Sequence, residues 1–208
     1  MMRWIYYNLR ELGFIKYIPV IIMFGLAVLF QKSTADTLIK IRSLELFFPP
    51  LISLWIIPLF NNYVNEDTGE MFLSYPFSRK KQGAARVLLF TGIYLLLLYL
   101  SYIISISFDK SYWFYLFFMT VQCFFFAGIS FLLIIKTRNI VVSMEIVLAY
   151  AGIQALDVNN TFLIIEVYFY NNIYGDPILL IIKVLMEMFL GSLFLVSGQR
   201  SFDKMVLN

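Results

Sequence analysis

The sequence predicts an all-α membrane protein: a six-transmembrane-helix bundle with an N-terminal interfacial helix and both termini cytoplasmic. Three observations predict it. Of the 208 residues, 61% are hydrophobic and 14% charged, with a mean hydropathy of +0.82, whereas a soluble domain runs at about 45–50% apolar and about 25% charged. The apolar residues fall into continuous runs long enough to cross about 30 Å of hydrocarbon. The basic residues, finally, are segregated into alternate connections between those runs.

The first dozen residues read as an interfacial helix, because Ile5, Leu9 and Leu12 share one face while Arg3, Tyr6 and Arg10 share the other. Trp4 and Tyr7 suit the headgroup layer. A frayed cytoplasmic tail is the plainer alternative. The first apolar run, about 13–30, lacks a small-x-small site behind it, so it reads as a first span and not as a cleaved signal peptide. Five more spans are expected at about 45–63, 87–107, 113–135, 140–156 and 177–197. Continuous runs such as Val87–Ser107 favour helices over the alternating strands of a barrel. Span two carries Pro49, Pro50 and Pro58, each of which removes a backbone donor, so a kinked or interrupted helix is expected.

Between the spans lie connections at 31–44, 64–86, 108–112, 136–139 and 157–176. Within the last, Thr161–Tyr170 is apolar and aromatic but ten residues long, too short to cross as a helix. It reads as an outer re-entrant or interfacial segment, or as an ordinary hydrophobic loop. With both termini inside, the inner face holds eleven basic residues: Arg3, Arg10, Lys16, Arg79, Lys80, Lys81, Arg86, Lys136, Arg138, Arg200 and Lys204. The outer face then holds four, Lys32, Lys40, Arg42 and Lys110, with Lys183 left inside a span. The positive-inside rule therefore orients the chain.

Composition also excludes chemistry. The chain has no histidine, which removes the usual general base and zinc ligand. The single cysteine, Cys123, sits in an apolar run and reads as a small buried hydrophobe. No catalytic residue, metal site or cofactor in this chain is expected. A net charge of +3 without a long basic block gives no sign of nucleic-acid binding.

Three charged residues are the intramembrane candidates: Glu145, Lys183 and Glu187. A charge near the bilayer centre costs about 2.5–3.5 kcal/mol on insertion scales, so such residues face protein or water. Lys183 and Glu187, four apart, share a helix face. They line a translocation path or contact a partner subunit on one reading, and form an ion pair that orients the helix on the other. Glu145 lies near the cytoplasmic end of span five, where it snorkels or meets a basic partner.

The 64–86 connection carries the most specific pattern, Asn65-Glu-Asp-Thr-Gly-Glu-Met-Phe-Leu-Ser-Tyr-Pro-Phe-Ser-Arg-Lys-Lys81, acids first and bases last. A short helix from Glu66 to Tyr75 would set carboxylates at its positive end and stop at Pro76. Glu66, Asp67 and Glu70 would then precede an apolar contact surface of Met71, Phe72 and Tyr75. This stretch resembles the cytoplasmic signature of type-2 ABC exporter permeases, where the loop after the second span ends in an acid, an apolar pair, a proline and then Ser-Arg. Glu70, Phe72-Leu73 and Pro76-Phe77-Ser78-Arg79 fall on that pattern; Gly69 is displaced, and Asp67 stands where the family commonly has glycine.

The resemblance implies a permease subunit in a bacterial cell membrane, paired with a second permease chain as a homo- or heterodimer. It implies a coupling loop, with Glu66, Glu70, Pro76, Ser78 and Arg79 at the interface, docking on a separate ABC ATPase that binds the ATP and Mg. No Gly-x4-Gly-Lys-Ser/Thr phosphate loop occurs in this chain. The cargo implied by an apolar, aromatic interior is amphipathic or hydrophobic, a peptide among the options. A non-transporting immunity or assembly protein stays open beside this, as does an intramembrane enzyme, though the latter lacks an evident nucleophile.

Overall fold

The computed structural model describes residues 10, 12–64, 82–106, 113–156, 167–168 and 177–205. The elements within them are all helices: α1 (Tyr17–Lys32), α2 (Thr37–Leu51), α3 (Ser53–Leu59), α4 (Asn61–Val64), α5 (Ala84–Ile106), α6 (Trp113–Thr137), α7 (Ile140–Leu156) and α8 (Pro177–Met205). Four stretches are long and apolar enough to cross a membrane: Thr37–Leu59, Ala84–Ile106, Trp113–Thr137 and Ile178–Met205. The helices α1 and α7 are apolar but have 16 and 17 residues, a rise of about 24–26 Å at 1.5 Å per residue. Of the expected interfacial helix, only Arg10 and Leu12 are described; Arg10 is exposed and Leu12 buried.

Two helices run further than hydropathy suggests. The first turns of α2 contain Lys40 and Arg42, which lower its mean hydropathy, yet Ile41, Leu44, Glu45 and Phe48 form a buried stripe at helical spacing. The apolar helix expected from about 45 accordingly begins at Thr37. At the other end of the chain, α8 continues past 197 to Met205, with Arg200 and Lys204 outward and Phe202 fully buried. Between α6 and α7, Arg138 takes a left-handed φ of 51° and Asn139 caps the next helix, its Oδ1 accepting the N–H groups of Val141 and Val142 at 2.9 and 3.2 Å.

The central helix is α6, which packs against α2, α3, α5, α7 and α8. Its apolar window is 72% buried, against 28% for that of α8. The α6–α8 seam is close: a Cβ built on Gly128 would lie 2.6 Å from the carbonyl oxygen of Gly191, and one on Gly198 would lie 2.6 Å from the Phe131 ring. Small residues permit such backbone approach between membrane helices. Outside the seam, α7 and α8 expose Val141, Val142, Ile146, Ile153, Ile181, Leu185, Phe189 and Val196. An apolar face that continuous belongs against lipid or another apolar surface, not water.

Span two breaks where its prolines fall. Ile52 leaves the α pattern, its N–H reaching back to Pro49 O at 3.4 Å, and α3 starts at Ser53. Pro50 cannot donate to the Leu46 carbonyl, and Ile52 no longer donates to that of Phe48. Both acceptors are taken by tyrosines from elsewhere in the chain. The Tyr168 hydroxyl donates to Leu46 O at 3.2 Å, and the buried Tyr94 hydroxyl donates to Phe48 O. Two of the acceptors freed at the break thus find donors within the chain, as a helix in lipid requires.

Candidate functional site

Two regions bring polar side chains into the bundle. The first lies midway along it. Glu45 of α2 is buried, and its Oε1 accepts from Gln122 Nε2 of α6 at 2.6 Å. The same Nε2 donates to the carbonyl of Val167 at 2.7 Å, so both donor hydrogens of the amide are engaged. Gln122 Oε1 has no hydrogen-bond partner although the side chain is fully buried.

On α8, Lys183 and Glu187 are both turned inward, 3% and 5% exposed. The charges of Glu45 and Lys183 both lie within electrostatic reach of the Glu187 carboxyl, and the Tyr150 hydroxyl of α7 does too. Neither oxygen of Glu187 has a hydrogen-bond partner. Helix rise places Glu45, Gln122 and Glu187 about 12, 14 and 15 Å from the starts of their helices, which matches the middle of a bilayer core of about 30 Å. Beside the cluster, an open apolar groove of about 240 Å³ runs between α2 and α7, lined among others by Leu46, Pro50, Ala151 and Tyr168.

The second region lies where α4 and α5 flank residues 65–81. Tyr63 packs edge-on against Phe202 at 5.6 Å, and Phe60 lies 4.7 Å from Phe131. The buried Arg86 guanidinium sits 5.6 Å and 5.4 Å from the ring centres of Phe60 and Tyr63, a cation–π geometry. Gln199 of α8 accepts the Ala84 N–H at 2.7 Å and donates to Asp203 at 2.8 Å. Gly83 permits that approach, since a Cβ there would lie 2.0 Å from Gln199 Oε1. The residues on both sides of 65–81 are thus fixed to the last turns of α8.

The sequence-derived site residues divide accordingly. Lys183 and Glu187 lie in the central cluster. Glu145 is exposed on α7, on the side away from the buried stripe of Ser143, Val147, Ala151 and Gln154, and does not join them. Glu66, Asp67, Glu70, Met71, Phe72, Tyr75, Pro76, Ser78 and Arg79 lie outside the described residues. Of the expected outer segment 157–176, Val167 and Tyr168 are described, and both are buried against α2 and α6.

Glu45 and Gln122 are the residues that sequence reading missed. A polar residue flanked by Leu44 and Leu46, or by Val121 and Cys123, was the available signal. Cys123 itself is buried and free. Among the described residues no group of His, Cys, Asp and Glu could hold a metal ion.

Fold and site together define a helical membrane protein with a charged cluster inside its bundle. Set against protein-family models, curated protein sequences and solved structures, the chain matches none.

Proposed function

We propose that this chain is the membrane permease half of an ATP-driven exporter of the type-2 ABC class, resident in a bacterial cell membrane. The observation that carries the reading is the 65–81 loop, whose Glu70, Phe72-Leu73 and Pro76-Phe77-Ser78-Arg79 follow the coupling-loop pattern. In this reading the four long helices and the shorter α1 and α7 make six spans, the two short ones accommodated by local bilayer thinning. The basic residues orient them with both termini cytoplasmic.

A coupling loop needs a stiff base, because a docking movement is transmitted only through elements that move as a body. The Arg86–aromatic node and the Gln199 clamp supply one, joining both flanks of the loop to α8 and α6. A separate ATPase subunit binds ATP and Mg, docks on the loop and rocks this half against a second permease chain. The central cluster on α2, α6 and α8 then faces the path of an amphipathic cargo.

The test is mild extraction of the tagged chain from its native membrane, followed by identification of its partners. The expected result is a phosphate-loop ATPase in equal ratio, whose hydrolysis drives cargo movement when both chains are reconstituted. Recovery of the chain without any such ATPase, while its cellular function persists in cells lacking one, overturns the reading.

A further inference from the structure

The outer face of α7 differs from that of α8. On α8 the exposed side chains include Ile181, Leu185, Phe189 and Val196, bulky and apolar, which lipid suits. The helix α7 packs on α2, α3 and α6 and turns its stripe of Ser143, Val147, Ala151 and Gln154 inward. Its opposite face presents Val141, Val142, Glu145, Ala149, Gly152 and Leu156 at helical spacing, all exposed. Glu145 stands about 8 Å along α7 from its start. With 17 residues, α7 is shorter than a bilayer core of about 30 Å, so this carboxylate lies inside the hydrocarbon and its short stem falls short of the edge. Among the described residues no hydrogen bond or ion pair holds it, and Arg138, two turns back and exposed, is not paired with it. A charge so placed is costly unless an opposite charge joins it. The same face allows close approach, since Ala149 is small and a Cβ on Gly152 would meet nothing within 4 Å. Interfaces between membrane helices are enriched in such residues.

We propose that this face of α7 docks a transmembrane helix that carries a lysine or arginine at the depth of Glu145. Charge complementarity selects the occupant. An acyl chain brings no charge to the carboxylate. A second copy meeting this one through α7 about a two-fold axis would set Glu145 against Glu145, like against like. A basic helix instead places its cation on the carboxylate while its backbone closes over Ala149 and Gly152. The proposal rests on α7 crossing the bilayer, as in the six-span reading, and not on an ATPase at the 65–81 loop.

The experiment uses the full chain in sealed proteoliposomes. The probe is a dansyl-labelled leucine-alanine peptide of about 20 residues, with one lysine about 8 Å inside one end, compared with the same peptide carrying leucine there. Energy transfer from the tryptophans of the chain reads association. The expected result is saturable transfer with an apparent affinity about tenfold or more higher for the lysine peptide, the gain expected of a charged hydrogen-bond partner. Glu145→Gln abolishes that difference. Gly152→Leu weakens the lysine peptide about tenfold, whereas Gly92→Leu, at an exposed and equally open glycine of α5, leaves it unchanged. Equal affinities of the two peptides for the wild-type chain overturn the proposal, as does a difference that survives Glu145→Gln. So does a dimer of the chain alone, counted by photobleaching steps, that Gly152→Leu dissolves, since the occupant is then a second copy. Ala149→Cys separates the two levels of failure. Its labelling by a water-soluble maleimide removes α7 from the membrane and overturns the six-span reading together with the proposal; protection without lysine preference overturns the proposal alone.

Discussion

Replacing Gly128 by Ala tests the α6–α8 seam. The added Cβ would stand 2.6 Å from the Gly191 carbonyl oxygen, whereas Cβ atoms essentially never come within 3.0 Å of a neighbour and meet ordinary contact from 3.4 Å. The helices must therefore part by at least 0.4 Å, and by 0.8 Å before the contact relaxes. No side-chain rotation relieves this, because the obstacle is backbone. A gap of about 0.5–1 Å forfeits a quarter to a half of the dispersion along the seam, and overpacking of this kind costs about 1–3 kcal/mol.

Alanine also favours a helix over glycine by up to about 1 kcal/mol, which would mask part of the loss. Gly92 supplies the control: it lies within α5, and a Cβ there meets nothing within 4 Å. The difference between Gly128→Ala and Gly92→Ala cancels the propensity contribution and should leave about 1–3 kcal/mol of destabilisation. Reversible unfolding in mixed micelles, followed by tryptophan fluorescence, measures both. Equal stabilities would refute the close seam.

The remaining predictions concern single polar contacts and the loop. Tyr94→Phe leaves the Phe48 carbonyl buried without a donor and should destabilise by about 1–3 kcal/mol in the same unfolding assay, with secondary structure by circular dichroism unchanged. Lys183→Leu leaves Glu45 and Glu187 buried together without their neighbouring positive charge, so it should lower stability more than the double variant Lys183→Leu/Glu187→Leu does; a double variant no better than the single one counts against coupling between them. Glu70→Gln and Arg79→Ala should each separate ATP hydrolysis from transport while membrane insertion persists, read by paired hydrolysis and flux measurements in proteoliposomes. Full transport in both would remove the loop from the docking surface.

How far the sequence was legible depended on the range of the interaction concerned. Helices read clearly because an apolar run is a local signal: Ile140–Leu156 begins and ends where hydropathy places it. The break in span two was legible too, since Pro49 and Pro50 act on their own turn. The start of that span was not, because Lys40 and Arg42 outweigh in a hydropathy average the buried stripe that folds the turn. Glu45 escaped for the same reason: an expected start at 45 put it at the very edge of a helix that in fact begins eight residues earlier, at Thr37. Gln122 carries no charge to flag it among its apolar neighbours. The tyrosines that cap the broken turn are 46 and 122 residues away from their acceptors, and nothing local announces such a partner.

The broken turn and the central cluster are one construction. Pro50 frees the Leu46 carbonyl, one residue from Glu45, and Tyr168 reaches that carbonyl through its hydroxyl. The residue before Tyr168 is Val167, whose own carbonyl takes the second hydrogen of Gln122. Placing a proline in α2 thus has a consequence beyond bending a helix. It leaves a carbonyl that Tyr168 fills, and the same Val167–Tyr168 dipeptide supplies the carbonyl that holds Gln122 beside Glu45.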